Sequence, residues 1–157
     1  MIDFTLTDEQ QMLVEMTRSF VEKEMLPHEE TLESTDTLPP ELAASLRKRS
    51  MELGLHACNL PEKVGGGGLD AVSVMLIEKE LGRTSLALAE CAHRPLNILA
   101  ACENEQVTQF LEPTLRGEKR DCIAMTEPGA GSDLRGMKCK AVRDGGYWII
   151  NGEKHFI

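Results

Sequence analysis

The residues best placed to do chemistry lie in one stretch, Asp121-Cys-Ile-Ala-Met-Thr-Glu-Pro-Gly-Ala-Gly-Ser-Asp133. A short apolar run, Ile123-Ala124-Met125, leads into Thr126. Glu127-Pro128 and the small-residue loop Gly129-Ala130-Gly131-Ser132 then close on Asp133. A strand running into such a loop brings backbone N–H groups and hydroxyls up to a ligand. The glycines let the main chain approach, and Ser132 adds a donor. A second glycine run, Leu60-Pro61-Glu62-Lys63-Val64-Gly65-Gly66-Gly67-Gly68-Leu69, lacks the spacing of a P-loop or of GxGxxG after a strand. It reads as a flexible connector between helices. His56 reads as an ordinary loop histidine. His93 falls on an apolar helical face, where a core histidine is the commoner outcome than a catalytic one.

Several chemistries are excluded by composition. The five cysteines, Cys58, Cys91, Cys102, Cys122 and Cys139, are odd in number and form no CxxC pair. Reduced thiols are expected, with neither a disulfide framework nor a metal site. The net charge of −9 argues against a nucleic-acid partner, which rewards basic surfaces. The basic clusters Arg47-Lys48-Arg49 and Lys138/Lys140 are short and read as solvated faces. No basic and apolar leader opens the chain, and no apolar run approaches the roughly 18 residues of a membrane span. A cytoplasmic protein is expected.

The elements upstream read as helices. Thr7-Asp8-Glu9-Gln10 is a capping box with acid in the first turn. Met12, Met16 and Phe20 follow at i, i+4, i+8, predicting a helix over about 8–25 stopped by Pro27, with the methionine stripe in the core. Residues 28–38 read as a polar connection. Pro39-Pro40 opens a helix carrying Leu42, Leu46 and Leu53, with Gly54 at C′. Asp70 caps a helix with Val74, Ile77 and Leu81, ended by Gly82. Thr84 or Ser85 starts another, with Leu86, Ala89, His93, Leu96 and Ala100 near one side and Pro95 splitting it. A short helix over 105–111 and a turn over 113–116, ended by Gly117, complete an all-helical unit. Beyond residue 120 the pattern changes. Strands are predicted over 121–126, 138–143 and 147–150, with turns at Asp144-Gly145-Gly146 and Asn151-Gly152 and a further strand beginning at Lys154. An unpaired edge there reads as the front of a longer protein.

Together these residues resemble the acyl-CoA dehydrogenase family of flavoproteins. The resemblance is carried by Ala124-Met-Thr-Glu-Pro-Gly-Ala-Gly-Ser-Asp133, Lys140-Ala141, Gly146-Tyr147 and Ile150-Asn-Gly-x-Lys154. Leu60-Pro-Glu-x-x-Gly-Gly, Ala92-His93 and Gly117-Glu118 also fit. The pairing of T-E-P-x-A-G-S-D with N-G-x-K about twenty residues later is the specific part. The fold class implied is mainly α. A helical-bundle N-terminal domain, 1–120, precedes the first strands of a β-barrel-like middle domain, 121–157, in an incomplete chain.

The resemblance implies FAD as cofactor and α,β-dehydrogenation of acyl-CoA thioesters in fatty acid metabolism. A carboxylate takes the α-proton, and hydride passes to the flavin. By position, Ile123, Met125 and Thr126 would line the flavin. Gly131 and Ser132 would meet the pyrophosphate, and Phe156 would pack beside the ring. Ser132 and His93 would contact the acyl-CoA. No catalytic residue is assigned in this chain, because the family's base glutamate lies in a C-terminal domain, and Glu127 is not promoted to that role. An electron-transfer flavoprotein as acceptor and a homotetramer or dimer are implied for the full-length protein. Chain 1–157 alone is expected to be inactive. The alternatives are a non-catalytic helical interaction module, or an acyl-CoA oxidase or flavin monooxygenase of the same fold.

Overall fold

The Thr7-x-x-Gln10 box forms as its residue types predict. The Thr7 hydroxyl accepts from the Gln10 N–H at 3.2 Å, and the Gln10 side chain accepts from the Thr7 N–H at 3.1 Å. In the computed structural model, which describes residues 5–92 and 94–157, this box opens α1, Asp8–Phe20. The helical path does not stop at Pro27. It widens into a π-helical turn, Val21–Met25, and tightens into a 3-10 turn, Leu26–His28. Pro27 sits at the start of that turn, where a missing N–H leaves no bond unmade. The expected polar connection is instead helical, α2 Glu29–Thr35. Its first residue is anchored by the Thr84 hydroxyl and the Ser85 N–H, both donating to the Glu29 carboxylate.

The chain divides into two compact units, Met1–Arg120 and Asp121–Ile157. In the first, α3 (Pro40–Glu52) buries Ala43, Leu46 and Ser50 and ends with Gly54 at a left-handed φ of 70°. Helix α4 (Ala71–Leu81) is capped by Asp70, whose carboxylate accepts from the Val72 and Ser73 N–H groups. It packs on α1, and the Arg18 guanidinium donates two bonds to the buried Glu80 carboxylate. Arg83 bridges Glu80 to Glu22. Helix α5 is short, Leu86–Ala89. It gives way to 3-10 turns at Glu90–Ala92 and Asn97–Ala101 on either side of Pro95. A π-helical turn, Val107–Leu111, and α6 (Glu112–Leu115) finish the unit.

The core holds Phe20, Val21, Met25, Leu46, Leu55, Ile77, Leu81 and Leu88, each side chain contributing about 1.5–3 kcal/mol by leaving water. The methionine stripe is only partly in it. Met12 is 69% exposed, because the buried face of α1 runs through Thr17 and Phe20. Leu86 is exposed too, and Leu88, Cys91 and Ala92 take the inward places. His56 is held, its Nε2 lying 2.9 Å from the Thr114 carbonyl oxygen. His93 lies outside the described residues.

The glycine run over 65–68 is no flexible connector. The Gly67 N–H donates to Ala57 O, Gly68 to Leu60 O and Leu69 to Cys58 O. This stitches the loop onto the segment before it. A Cβ at Gly66 would sit 2.2 Å from the Leu60 carbonyl oxygen.

In the second unit, β1 (Lys140–Asp144) and β2 (Tyr147–Asn151) form an antiparallel hairpin. Its register runs from Lys140↔Asn151 to Asp144↔Tyr147 across Gly145-Gly146. The strands expected over 121–126 and from Lys154 do not form, and Asn151-Gly152 is not a hairpin turn. One backbone bond, His155 N–H to Thr126 O at 2.9 Å, joins those two segments, and a strand needs a longer ladder than that. Among the described residues no helix is long and apolar enough to cross a membrane.

Candidate functional site

Within the second unit the loop after Met125 is shaped by its own backbone. Glu127 and Ala130 exchange both hydrogen bonds, so Pro128-Gly129 forms a tight turn. The Asp133 carboxylate accepts from the Arg135 N–H and opens a 3-10 turn, Leu134–Gly136. The chain then passes back beside Glu127 on its way to β1. There the Glu127 carboxylate accepts from the Lys138 N–H at 2.6 Å and the Cys139 N–H at 3.0 Å. Lys154, two residues past β2's successor Gly152, donates from Nζ to the same carboxylate at 2.9 Å. It donates also to the Met125 carbonyl oxygen at 2.9 Å. Gly152 permits this return, since a Cβ there would lie 2.1 Å from Cys139 Sγ.

The electrostatics follow from these bonds. The Lys138 N–H, then the Lys154 ammonium and Cys139, hold the Glu127 carboxyl down to about 2 from an ordinary 4.5. The neighbouring carboxylate pushes the Cys139 thiol up. A general base works best with a pKa near the operating pH and a free lone pair. The Glu127 carboxyl lies far below that pH and three donors already hold it, so it is an anchor.

The structure places the sequence-predicted residues as follows. Met125 and Thr126 are brought against Lys154 and His155 through the two carbonyl bonds. Ile123, Met125 and Phe156 are exposed, at 57%, 40% and 86%. Phe156 has a left-handed φ of 56° and stacks on the His155 ring at 4.0 Å. Gly131 and Ser132 are exposed in the loop, and no hydrogen bond joins them to Thr126 among the described residues. Lys154 was legible as a motif residue but carried no predicted role. The signal was its charge opposite Glu127 within the paired motifs.

These residues fit a flavin nucleotide. The Thr126 N–H and hydroxyl have no hydrogen-bond partner among the described residues, although Thr126 is half-buried. A Cβ at Gly129 or Gly131 would meet no atom within 4 Å, so the main chain of the loop is open to a ligand. Ile123, Met125 and Phe156 are exposed apolar side chains in the same unit. In the helical unit, an open cleft of about 380 Å³ lies beside α5, lined by Leu81, Thr84, Leu86, Ala89, Ala92 and Arg94 among others.

Comparison with known families decides the relationship. Residues 7–118 match the model of the acyl-CoA dehydrogenase N-terminal domain, and residues 122–157 match that of the middle domain. The chain belongs to the acyl-CoA dehydrogenase family. A probable acyl-CoA dehydrogenase of Bacillus subtilis is 36% identical over 99% of this chain and 41% of its own length. A subunit of the caffeyl-CoA reductase–Etf complex of Acetobacterium woodii is 31% identical over 96% of the chain and 40% of its own. The crystal structure of an acyl-CoA dehydrogenase from Bacillus anthracis, complexed with FAD, superposes with a TM-score of 0.75. It shares 32% identity over 98% of this chain and 27% of that one. The chain thus spans well under half of these relatives. The family binds FAD.

Proposed function

We propose that this chain is the part of an FAD-dependent acyl-CoA dehydrogenase that forms one wall of the flavin and acyl-CoA site. Units 1–120 and 121–157 are then the helical N-terminal domain and the opening of the middle domain. The observation that carries the reading is Thr126. The carbonyls of Met125 and Thr126 are held by Lys154 and His155, while the N–H and hydroxyl of half-buried Thr126 have no partner among the described residues.

When bound, FAD supplies the hydride acceptor. The chain's own residues do the positioning. Thr126 donates to the edge of the ring, and Ile123, Met125 and Phe156 give it apolar surface and exclude water. Gly131 and Ser132 would let the pyrophosphate approach the main chain, and Ser132 would meet the acyl-CoA. The cleft beside α5, lined by exposed Leu86 and by Ala89, offers apolar wall for an acyl chain. Proton removal falls to a carboxylate outside these residues, since Glu127 is tied and acidic. The full-length protein is a cytoplasmic homo-oligomer in fatty acid metabolism. It passes electrons to an electron-transfer flavoprotein, and a relative that is a subunit of an Etf complex supports this last step alone.

The test is a titration of chain 1–157 with FAD, and of the full-length protein with FAD and then acyl-CoA under anaerobic conditions. Weak flavin binding without turnover is expected of the chain. Bleaching of the flavin by acyl-CoA, reoxidised by electron-transfer flavoprotein faster than by oxygen, is expected of the whole protein. Full-length protein that takes up no flavin would remove the proposal.

A further inference from the structure

We infer that Lys154 is a positioning residue, which sets the direction of the Thr126 N–H through the Met125 carbonyl and thereby the grip of the site on flavin. The inference rests on the flavin reading given above. A planar trans peptide points its C=O and N–H in opposite directions. Lys154 Nζ holds Met125 O at 2.9 Å, so the Thr126 N–H of the same peptide must face away from the ammonium. The next carbonyl, Thr126 O, is held by the His155 N–H at 2.9 Å. Two successive residues therefore fix both peptides around Thr126 and leave its own donors unspent.

The ammonium is itself located. The buried Glu127 carboxylate, 6% exposed, accepts from it, and the Lys138 and Cys139 N–H groups hold that carboxylate. Met137 Sδ adds a contact at 3.7 Å. A relay of fixed groups thus runs from the start of β1 through Glu127 and Lys154 to one peptide of the candidate site. Hydrogen bonding to a carbonyl polarises its peptide and strengthens the N–H on the other side. On the proposed ligand surface Lys154 meets only the Met125 carbonyl oxygen, and it acts through the main chain.

Three forms of the chain test this: wild type, Lys154→Met and Lys154→Arg. Each is examined by amide NMR without ligand and then by titration with FAD. Lys154→Met keeps the length and removes the donors. It is expected to move the Thr126 amide resonance and to weaken FAD by about ten-fold, as a misdirected Thr126 N–H loses its bond to the ligand. Exchange protection of the β1–β2 hairpin should be unchanged. Lys154→Arg restores a donor and should recover most of both signals. Lys154→Met binding FAD within about two-fold of wild type overturns the inference and leaves the flavin reading intact. So does Lys154→Arg that keeps the hairpin protection and the wild-type Thr126 resonance yet binds like Lys154→Met. Wild type that binds no FAD overturns the flavin reading and this inference with it. The ligand-free Thr126 resonance tells that case apart from a failed relay.

Discussion

The two glycine loops are alike in composition and opposite in purpose. Residues 65–68 and residues 129–132 are both made of small residues, and both run on to an aspartate that caps the next helical segment. In the first loop the space where side chains would go is filled by the chain itself. A Cβ at Gly66 meets Leu60 O at 2.2 Å, and one at Gly67 meets Cys58 Cα at 2.9 Å. In the second the space is open, and a Cβ at Gly129 or Gly131 meets nothing within 4 Å. Glycine at 66 and 67 is there for packing. Glycine at 129 and 131 leaves the main chain accessible. Composition cannot separate the two cases; only the neighbour at Cβ can.

The largest expected effect tests that difference directly. Gly66→Ala sets a methyl group against backbone, which cannot rotate away as a side-chain tip could. It should destabilise the helical unit by about 3 kcal/mol, seen as an earlier urea midpoint. Gly131→Ala has no clash and no left-handed φ to strain. Its stability should stay within about 0.5 kcal/mol of wild type, while its affinity for FAD falls. Equal stability losses in the two variants would mean that the loops do not differ as described.

A second contrast lies between two buried carboxylates. Glu80 locks α1 to α4 through Arg18 and Arg83, whereas Glu127 locks a loop to a hairpin through two N–H groups and Lys154. Glu80→Gln keeps the shape and loses the charge, and should destabilise the helical unit by about 2 kcal/mol. Both carboxyls are held below their ordinary range, Glu80 chiefly by Arg18 and Glu127 to about 2 chiefly by the Lys138 N–H. A depressed carboxyl stabilises fully above its unfolded pKa and loses that contribution as pH falls through the folded one. The Glu127 contribution is therefore complete above pH 4.5 and fades towards about 2. Amide protection at Cys139 and His155, followed from neutral pH into that window, should fall in wild type. Glu127→Gln should be flat there.

How much of this was legible in the sequence depended on how local the cause was. The Thr7 box, the Asp70 cap, the α4 span and the Gly145-Gly146 turn are set by residues within four positions of one another, and the sequence pattern located them. Met12 and Leu86 were misplaced because the 3.6-residue period allows more than one apolar stripe, and packing against distant elements chooses among them. The continuation through Pro27 depends on Glu29 meeting Thr84 and Ser85, a contact 55 and 56 residues away in sequence. The candidate site divides in the same way. The loop from Thr126 to Asp133 could be read from its residue types. The part played by Lys154 could not, since it is fixed by a fold that brings position 154 back to 125 and 127.

The smallest effects return to the aspartates that close the two glycine loops. Asp70 satisfies two N–H groups at the head of the eleven-residue helix α4 and also accepts from the Ser73 hydroxyl at 2.8 Å. Asp133 satisfies one N–H of a three-residue turn. A cap stabilises in proportion to the structure that depends on it. Asp70→Ala should therefore lower the melting temperature of the helical unit by a few degrees, and Asp70→Asn, which keeps an acceptor, should recover much of it. Asp133→Ala should leave melting unchanged and loosen only the approach to β1, read as faster amide exchange over 135–139. If the loop of residues 129–132 were a packed element like its counterpart, removing its aspartate would lower the melting temperature as well.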